Sequence, residues 1–166
     1  MDISVRPVRA EEHEALGEMT AQAYLGDGLL DFGADDSYLE QLRAVGRRAA
    51  EAVVLAAVDG DGALLGGVTY VAPGGPWADI AGRDEAEFRM LAVSAEARGR
   101  GAGEALVRAC VDRARATEGV SGVVLSTQSS MEAAHRIYRR LGFVRTPERD
   151  WSPLPGFTLL TFRLAF

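Results

Sequence analysis

The sequence predicts a mixed α/β fold with a sheet that includes an antiparallel hairpin. Two apolar runs, 52–58 and 64–70, flank the turn Asp59-Gly60-Asp61-Gly62, a pattern typical of paired antiparallel strands. Later in the chain, apolar strands at 87–93 and 123–127 are each followed by residues with helical periodicity. The 166 residues, 48% of them hydrophobic, are enough for one core. We therefore expect a single domain.

The remaining elements follow from periodicity and from residues that start or stop helices and turns. We expect Ser37 to cap the second helix, which runs to about Arg48. The domain spans residues 1–166 with no visible internal repeat. In chain order the other predictions are a strand at 3–8, a helix at 11–24, loops at 26–36 and 71–84, helices at 103–117 and 131–141, a strand at 143–145, a proline-rich excursion at 147–156 and a last strand at 157–164.

Composition excludes several functional classes. All 18 basic residues are arginine, so a Walker lysine and a lysine Schiff base are excluded. One cysteine and two histidines are too few for a usual zinc site, so we expect no metal. No apolar run is long enough to span a membrane, and the first residues lack a signal peptide, so we expect a cytoplasmic protein with no membrane partner. The excess of Arg and Ala suggests a GC-rich bacterial genome.

The charge is distributed unevenly along the chain. Residues 1–88 carry 17 acids and 6 arginines, whereas residues 89–166 carry 7 acids and 12 arginines. This asymmetry indicates either solvated helix faces or an anionic ligand on the C-terminal half and a cationic one near the N-terminal half. The overall pI of about 5.0 argues against nucleic acid as a partner.

A glycine-rich segment lies between a predicted strand and a predicted helix. Its sequence is Arg98-Gly99-Arg100-Gly101-Ala102-Gly103. Glycines let the backbone approach a ligand closely, and amides at a helix N-terminus bind phosphate groups. No lysine follows the segment, and Glu104 stands where a dinucleotide fingerprint needs glycine. The segment therefore predicts an anion site that is neither a Walker loop nor a Rossmann fingerprint.

Two ordered motifs resemble those of the GNAT superfamily of N-acetyltransferases. Within 93–106, Arg98-x-x-Gly101-x-Gly103 resembles the acyl-CoA motif Gln/Arg-x-x-Gly-x-Gly/Ala. About 35 residues later, the segment 133–143, AAHRIYRRLGF, resembles the family motif Ala-x-x-Leu-Tyr-x-x-x-Gly-Phe. The resemblance implies a GNAT-like α/β (α+β) fold: a mixed, mostly antiparallel twisted sheet with central splayed parallel strands and flanking helices. It also implies acetyl-CoA as co-substrate.

The resemblance further implies how the co-substrate binds. Backbone amides of the glycine segment would hold the pyrophosphate, the pantetheine arm would lie along Val93, and the Leu91 amide would face the thioester carbonyl. The cofactor-binding residues implied in this way are Leu91, Val93, Arg98, Gly99, Arg100, Gly101, Ala102, Gly103 and Glu104.

Two side chains match the family's proton-handling positions. Tyr138 matches a tyrosine that protonates the CoA thiolate, although the same residue could serve only to pack the helix on the sheet. Glu87 matches an acid that accepts the proton of the acceptor amine, and its alternative is an ion pair with Arg89 or with an arginine elsewhere in the chain. Met131 replaces an asparagine that many relatives have, which leaves the cofactor contacts of that turn to Gln128 or Ser130.

An acceptor site is harder to place. Acids and aromatic residues alternate near the N-terminus and could line a site for a cation, and either tryptophan could wall it. These residues are Tyr24, Asp27, Asp31, Phe32, Asp35, Asp36, Tyr38, Trp77 and Trp151. Cys110 lies on an apolar helix face and is expected to be inert core, and neither His13 nor His135 has a partner that the sequence reveals.

The resulting functional prediction is an N-acetyltransferase that moves an acetyl group from acetyl-CoA to a primary amine of a small molecule in a ternary complex. An enzyme for protein N-terminal amines and a catalytically silent acyl-CoA-binding module stay open as alternatives. The sequence also leaves a homodimer open.

Overall fold

A computed structural model describes residues 2–30 and 33–166 of the chain. Within this part, eight strands form a sheet in the order β1-β2-β3-β4-β5-β8-β6, and β7 pairs with β8. The parallel pair is β4 and β5, and the other paired strands of the described chain are antiparallel. The strands are β1 (Ser4–Pro7), β2 (Val53–Val58), β3 (Leu64–Val71), β4 (Glu85–Val93), β5 (Gly122–Thr127), β6 (Val144–Arg145), β7 (Trp151–Leu154) and β8 (Phe157–Ala165). This topology confirms the predicted fold class.

Helices cover both faces of the sheet. They are α1 (His13–Gly26), α2 (Tyr38–Arg43), α3 (Val45–Glu51), α4 (Ala102–Arg115) and α5 (Glu132–Arg140). Leu16 of α1 and Val45 of α3 pack with Val54 on one face. Leu106 of α4 and Tyr138 of α5 belong to the larger core cluster on the other face. The side chains of each strand alternate between these two layers.

Strands β4 and β5 separate after a short parallel ladder. The pairing runs from Glu85 with Gly122 to Glu87 with Val124, so the rest of both strands is unpaired along this seam. A bulge in β4 follows at once, because Val68 of β3 lies opposite both Met90 and Leu91. The predicted splay of the two central strands is therefore present, and it opens a gap in the middle of the sheet.

The bulge changes which way the β4 side chains point. Met90 has a positive φ of 57°, which is uncommon for a residue other than glycine. Strict alternation would place Met90 beside Phe88, in the cluster with α4 and α5. Instead Met90 packs with Ala21 and Leu42 of α1 and α2. The Met90 side chain therefore lies on the α1–α2 face of β4, together with the side chains that strict alternation already places on that face.

The prediction of one helix from Ser37 to Arg48 is wrong. The chain breaks at Ala44, with φ −80° and ψ 54°, and Ser37 forms no capping hydrogen bond. Asp36 accepts the backbone N–H of Tyr38 instead. The buried guanidinium of Arg48 donates to the carbonyls of Gln41 and Leu42, groups that a continuous helix would bond internally. A long-range side-chain contact thus replaces part of the helix ladder.

The proline-rich excursion at 147–156 also differs from the prediction. It contains a 3₁₀ turn at Pro147–Arg149 and the strand β7, which forms a hairpin with β8. The pairs are Trp151 with Leu159 and Leu154 with Phe157. Pro153 is tolerated because β7 is an edge strand that needs no amide donor there.

Candidate active site

Two cavities flank the gap between β4 and β5. The loop cavity, about 660 Å³, lies among the glycine segment, the end of β4 and α5. The hairpin cavity, about 400 Å³, lies among α1, α2, the middle of β4 and the β7–β8 hairpin. Tyr24, Leu29 and Met131 line both of them. The two cavities therefore meet at these three side chains.

The glycine segment shapes one wall of the loop cavity. Gly99 and Gly101 have φ values of 80° and 89°, which other residues adopt only with strain, and Gly101 is the N-cap of α4. A side chain at Gly103 would meet Ile137 Cδ1 at 3.3 Å, so glycine here lets α4 approach α5. The first amides of α4 therefore border an open cavity, as an anion site at a helix N-terminus requires.

Eight of the nine predicted cofactor residues line this cavity. They are Leu91, Val93, Arg98, Gly99, Gly101, Ala102, Gly103 and Glu104. Arg100 is the exception: it lies in the same turn but outside the lining. Arg98 forms an ion pair of 2.9 Å with Asp27 of the α1 end, and Glu104 forms one of 2.6 Å with Arg140. Both rims of the cavity are thus tied to neighbouring elements.

Tyr138 lies in the core between α5 and the sheet, and it lines neither cavity among the described residues. It is 3% exposed, and its ring centroid lies 5.7–5.9 Å from those of Phe88, Phe143 and Phe162. Burial raises the pKa of its hydroxyl, so the group stays protonated across the neutral range. The Tyr138 phenol also contributes to the raised pKa of Tyr24, behind the larger effect of burial.

Glu87 lines the hairpin cavity from the opposite face of β4. The side chain is fully buried, and its Oε1 accepts the amides of Asp79, Ile80 and Ala81, each at 3.0 Å. Oε2 accepts a longer bond of 3.2 Å from Asp79. Burial raises the pKa of Glu87, although the three amides act in the opposite direction. The carboxyl anchors the 79–81 loop through Oε1, and Oε2 can still accept a further hydrogen bond.

Arg89 is paired with Asp79 rather than with Glu87. The Arg89 to Asp79 distance is 3.1 Å, and the guanidinium also donates to the Trp77 carbonyl and the Tyr38 hydroxyl. The alternative prediction of a Glu87–Arg89 ion pair is therefore not what the structure shows. Arg89, Asp79 and Tyr38 line the hairpin cavity together.

Five of the aromatic and acidic residues expected near an acceptor site line a cavity, whereas Asp35 lines neither among the described residues. Tyr38, Asp36 and Trp151 line the hairpin cavity, Asp27 lines the loop cavity, and Tyr24 lines both. Trp77 donates its indole N–H to Glu51 and does not line either cavity among the described residues. The expectations for Asp31 and Phe32 lie outside the described residues.

Sequence reasoning missed three groups of cavity residues. Leu29 and the bulged Met90 carry no chemical motif, and the hairpin residues 153–159 were expected in irregular chain or in a strand without a site. Their positions depend on long-range packing. The one available signal was the concentration of apolar residues beside Pro153 and Gly156.

Other reactive residues are structural. Cys110 is completely buried, and burial raises the pKa of its thiol well above its usual value. His135 does have a partner: its Nε2 lies 3.1 Å from Thr127 Oγ1, and its ring packs on Phe162. No cluster that could hold a metal occurs among residues 2–30 and 33–166. The same part of the chain has no helix with the length and apolar character of a membrane span.

Solved structures of other proteins share this architecture. A phosphinothricin acetyltransferase of the GNAT superfamily from Sinorhizobium meliloti, in complex with AcCoA, aligns with a TM-score of 0.73 at 19% identity over 100% of this chain and 89% of that chain. The PaiA N-acetyltransferase of Thermoplasma acidophilum, in complex with coenzyme A, aligns with a TM-score of 0.74 at 16% identity over 100% of both chains. At these identities the similarity concerns the fold.

Sequence comparison adds the family. An N-acetylaspartate synthetase from Danio rerio is 39% identical over 72 residues, which are 43% of this chain and 25% of that protein. The aligned part is thus about a quarter of the length of that relative. The family model described as acetyltransferase (GNAT) family matches residues 18–143, which include both motifs and the cavities' shared residues. The chain belongs to the GNAT family of acetyltransferases.

Proposed function

We propose that this enzyme transfers the acetyl group of acetyl-CoA directly to the primary amine of a small molecule, with both substrates bound at once. The observation that carries the proposal is the meeting of the loop cavity and the hairpin cavity at Tyr24, Leu29 and Met131. Two substrates that enter from opposite sides of the sheet would touch there. The buried Cys110 thiol is not available as an acyl carrier, which favours direct transfer.

In this proposal the loop cavity holds acetyl-CoA. The amides of the turn from Gly99 to Gly101 and the first amides of α4, at 102–104, bind the pyrophosphate, assisted by the helix dipole. Val93 flanks the pantetheine arm along the unpaired edge of β4. The Leu91 amide, next to the bulge, stabilises negative charge on the thioester oxygen. Acetyl-CoA supplies the activated acyl group, and these residues orient it.

Tyr138 is proposed as the proton donor to the departing thiolate. Support comes from the position of Tyr138 in the second family motif and from its burial, which raises the pKa of its hydroxyl and keeps it protonated. The rings of Phe88, Phe143 and Phe162 hold the phenol in place. A fixed hydroxyl needs no reorganisation before it donates.

Glu87 is proposed as the proton acceptor for the amine. An alkylammonium has a pKa near 10 and does not react as a nucleophile until it loses a proton. Glu87 lies in the lining of the hairpin cavity. Burial raises its pKa, so this pKa lies nearer to neutral pH than that of an exposed glutamate. Within the described chain it forms no ion pair that would hold it ionised.

A small-molecule acceptor is favoured over a protein terminus because the hairpin cavity, at about 400 Å³, has the volume of a small-molecule pocket. The names of the similar proteins point in the same direction, since phosphinothricin and aspartate are small amines. A silent binding module would need neither the hairpin cavity nor Glu87 beside it.

The test is a screen of primary amines and N-terminal peptides with acetyl-CoA, in which release of free CoA is measured. The proposal expects CoA release with small amines, together with N-acetylated product by mass spectrometry. Release with peptides alone would replace the proposed acceptor class. CoA binding without turnover of any amine or peptide would support the silent module.

A further inference from the structure

The hairpin cavity has two chemically different sides. Every lining residue contributed by the β7–β8 hairpin is apolar, and we call these five side chains the hairpin wall. The opposite side, from α1, α2 and the 79–81 loop, contributes hydroxyl, amide and carboxylate groups, including Tyr24, Tyr38 and Asp79. The hairpin wall consists of Trp151, Pro153, Leu154, Phe157 and Leu159.

The hairpin wall is held in place and partly exposed. The Trp151 indole N–H donates to Ser126 Oγ of β5 at 2.9 Å, which fixes the ring against the cavity floor. Leu154 is 49% exposed and pairs across the hairpin with Phe157, which is half-buried. An exposed apolar rim that continues into a cavity is typical of a surface that a ligand covers. The wall would bury the apolar part of a bound molecule.

The charges of the cavity disfavour an anionic ligand. Asp36, Asp79 and Glu87 line it, whereas the lining contains one guanidinium, Arg89, which Asp79 pairs at 3.1 Å. Arg48 donates to Thr69 and to the α2 carbonyls and is not part of the described lining. The residues that the structure does not describe, Met1, Asp31 and Phe32, include no basic side chain. The one cation of the described lining is already paired, so a ligand carboxylate would find no free cation there, whereas an ammonium could pair with Glu87.

We propose that the acceptor is a primary amine with an apolar body of aromatic-ring size and without a carboxylate, and that the hairpin wall binds this body. This proposal rests on the proposed function and specifies its substrate class. The ammonium lies on the Glu87 side, where it loses its proton, and the ring or alkyl chain lies against Trp151, Leu154 and Phe157. The amine nitrogen bonds to the acetyl carbon as the carbon–sulfur bond breaks. The ammonium loses one proton to Glu87 before attack, and the nitrogen loses a second proton after attack, which balances the proton that Tyr138 gives to the departing thiolate.

The first test compares kcat/KM for n-alkylamines of increasing length, 2-phenylethylamine, phenylalanine, L-aspartate and spermidine. We expect about a fourfold rise per methylene group, which corresponds to ~0.8 kcal/mol of transfer free energy. Phenylalanine differs from 2-phenylethylamine by one carboxylate and should be at least about 100-fold poorer, because that charge finds no free cation. A flat alkylamine series, or a preference for L-aspartate, phenylalanine or spermidine, would overturn the proposal.

The second test uses the variants Leu154→Ser and Phe157→Ser. Both should raise KM for 2-phenylethylamine about tenfold and leave KM for methylamine and acetyl-CoA unchanged. Val144→Ser is the matched control, since Val144 is 66% exposed and lines neither cavity among the described residues. Equal effects on all amines, or a change in oligomeric state by light scattering with no effect on amines, would show that the hairpin has another role.

Binding of 2-phenylethylamine to the CoA-bound protein, measured by calorimetry, separates this proposal from the proposed function. Turnover of amines without an apolar preference would keep the acetyltransferase function and overturn the substrate class. Binding of 2-phenylethylamine but not phenylalanine, without turnover, would support the ligand class and contradict the proposed catalysis. Failure of both binding and turnover would contradict both.

Discussion

The two cavities differ in how the chain builds them. The loop cavity takes most of its lining from two compact segments, 91–104 and 130–140, each of which is a strand or turn that leads into a helix. The hairpin cavity takes its lining from α1, α2, the 79–81 loop, β4, β5 and the β7–β8 hairpin. The loop cavity depends on backbone geometry, which a short motif encodes. The hairpin cavity depends on side chains that meet only through tertiary packing.

This difference predicts that the two cavities respond to different mutations. Changes in the polar anchors of α2 and α3 should disturb the hairpin cavity and leave CoA binding intact. Changes in the glycine turn should do the reverse. Changes where the cavities meet should affect turnover more than the binding of either substrate.

The largest effect is expected for Arg48→Met, which keeps the aliphatic stem and removes the guanidinium. Arg48 is 2% exposed and donates to Thr69 Oγ1 and to the carbonyls of Gln41 and Leu42. Loss of these bonds removes the donor of the buried Leu42 carbonyl and one of the two donors of the Gln41 carbonyl, and it should lower the free energy of unfolding by about 3 kcal/mol. Urea denaturation measures this value.

Arg47→Met is the control for Arg48→Met, because the Arg47 side chain is 75% exposed and its ion pair with Glu51 is a surface contact. It should change stability by less than about 0.5 kcal/mol. A loss for Arg48→Met as small as that of the control would show that the broken α2–α3 connection does not depend on this side chain.

Tyr138→Phe tests the proposed proton donor. The change keeps the ring contacts with Phe88 and Phe162 and removes only the hydroxyl. If Tyr138 donates the proton, kcat should fall about 100-fold with CoA affinity unchanged. Steady-state kinetics with an amine from the screen, together with calorimetry for CoA, measures both. Full kcat in the variant would assign Tyr138 a packing role.

Glu87→Gln tests the hairpin side by its pH dependence. Because burial raises the pKa of Glu87, the acidic limb of kcat/KM in the parent enzyme should lie above the usual glutamate range. Activity should fall as pH drops through this limb, since the base becomes protonated. The variant should lack the limb and lose about 30-fold in kcat/KM at neutral pH, with residual rate from the free-amine fraction. An unaltered limb would move the proton acceptor to another group.

Gly101→Asp and Gly101→Asn form a matched pair for the loop cavity. Both place a side chain of the same size at a φ of 89°, so the backbone strain is shared. They differ in one negative charge at the N-cap of α4, where the pyrophosphate would bind. We expect the Asp variant to bind CoA about tenfold more weakly than the Asn variant by calorimetry. Equal affinities would place the anion site elsewhere.

The sequence predicted the loop cavity in more detail than the hairpin cavity. Eight of the cofactor residues that the family resemblance implied, all between 91 and 104, line this cavity. A short motif can indicate such a site because glycines and a helix start fix the local backbone geometry. The break at Ala44 could not be predicted, since the Leu42 carbonyl finds its donor in the Arg48 side chain only after folding. The bulge that turns Met90 toward α1 and the β7 strand likewise depend on the partner strand.

The most direct test of the account is the order of substrate binding and release. Initial rates measured at varied concentrations of acetyl-CoA and of an accepted amine should give intersecting double-reciprocal lines, because both cavities are filled before transfer. Intact mass spectrometry after incubation with acetyl-CoA alone should show the unmodified chain. Parallel lines together with a chain heavier by one acetyl group would contradict direct transfer between the two cavities.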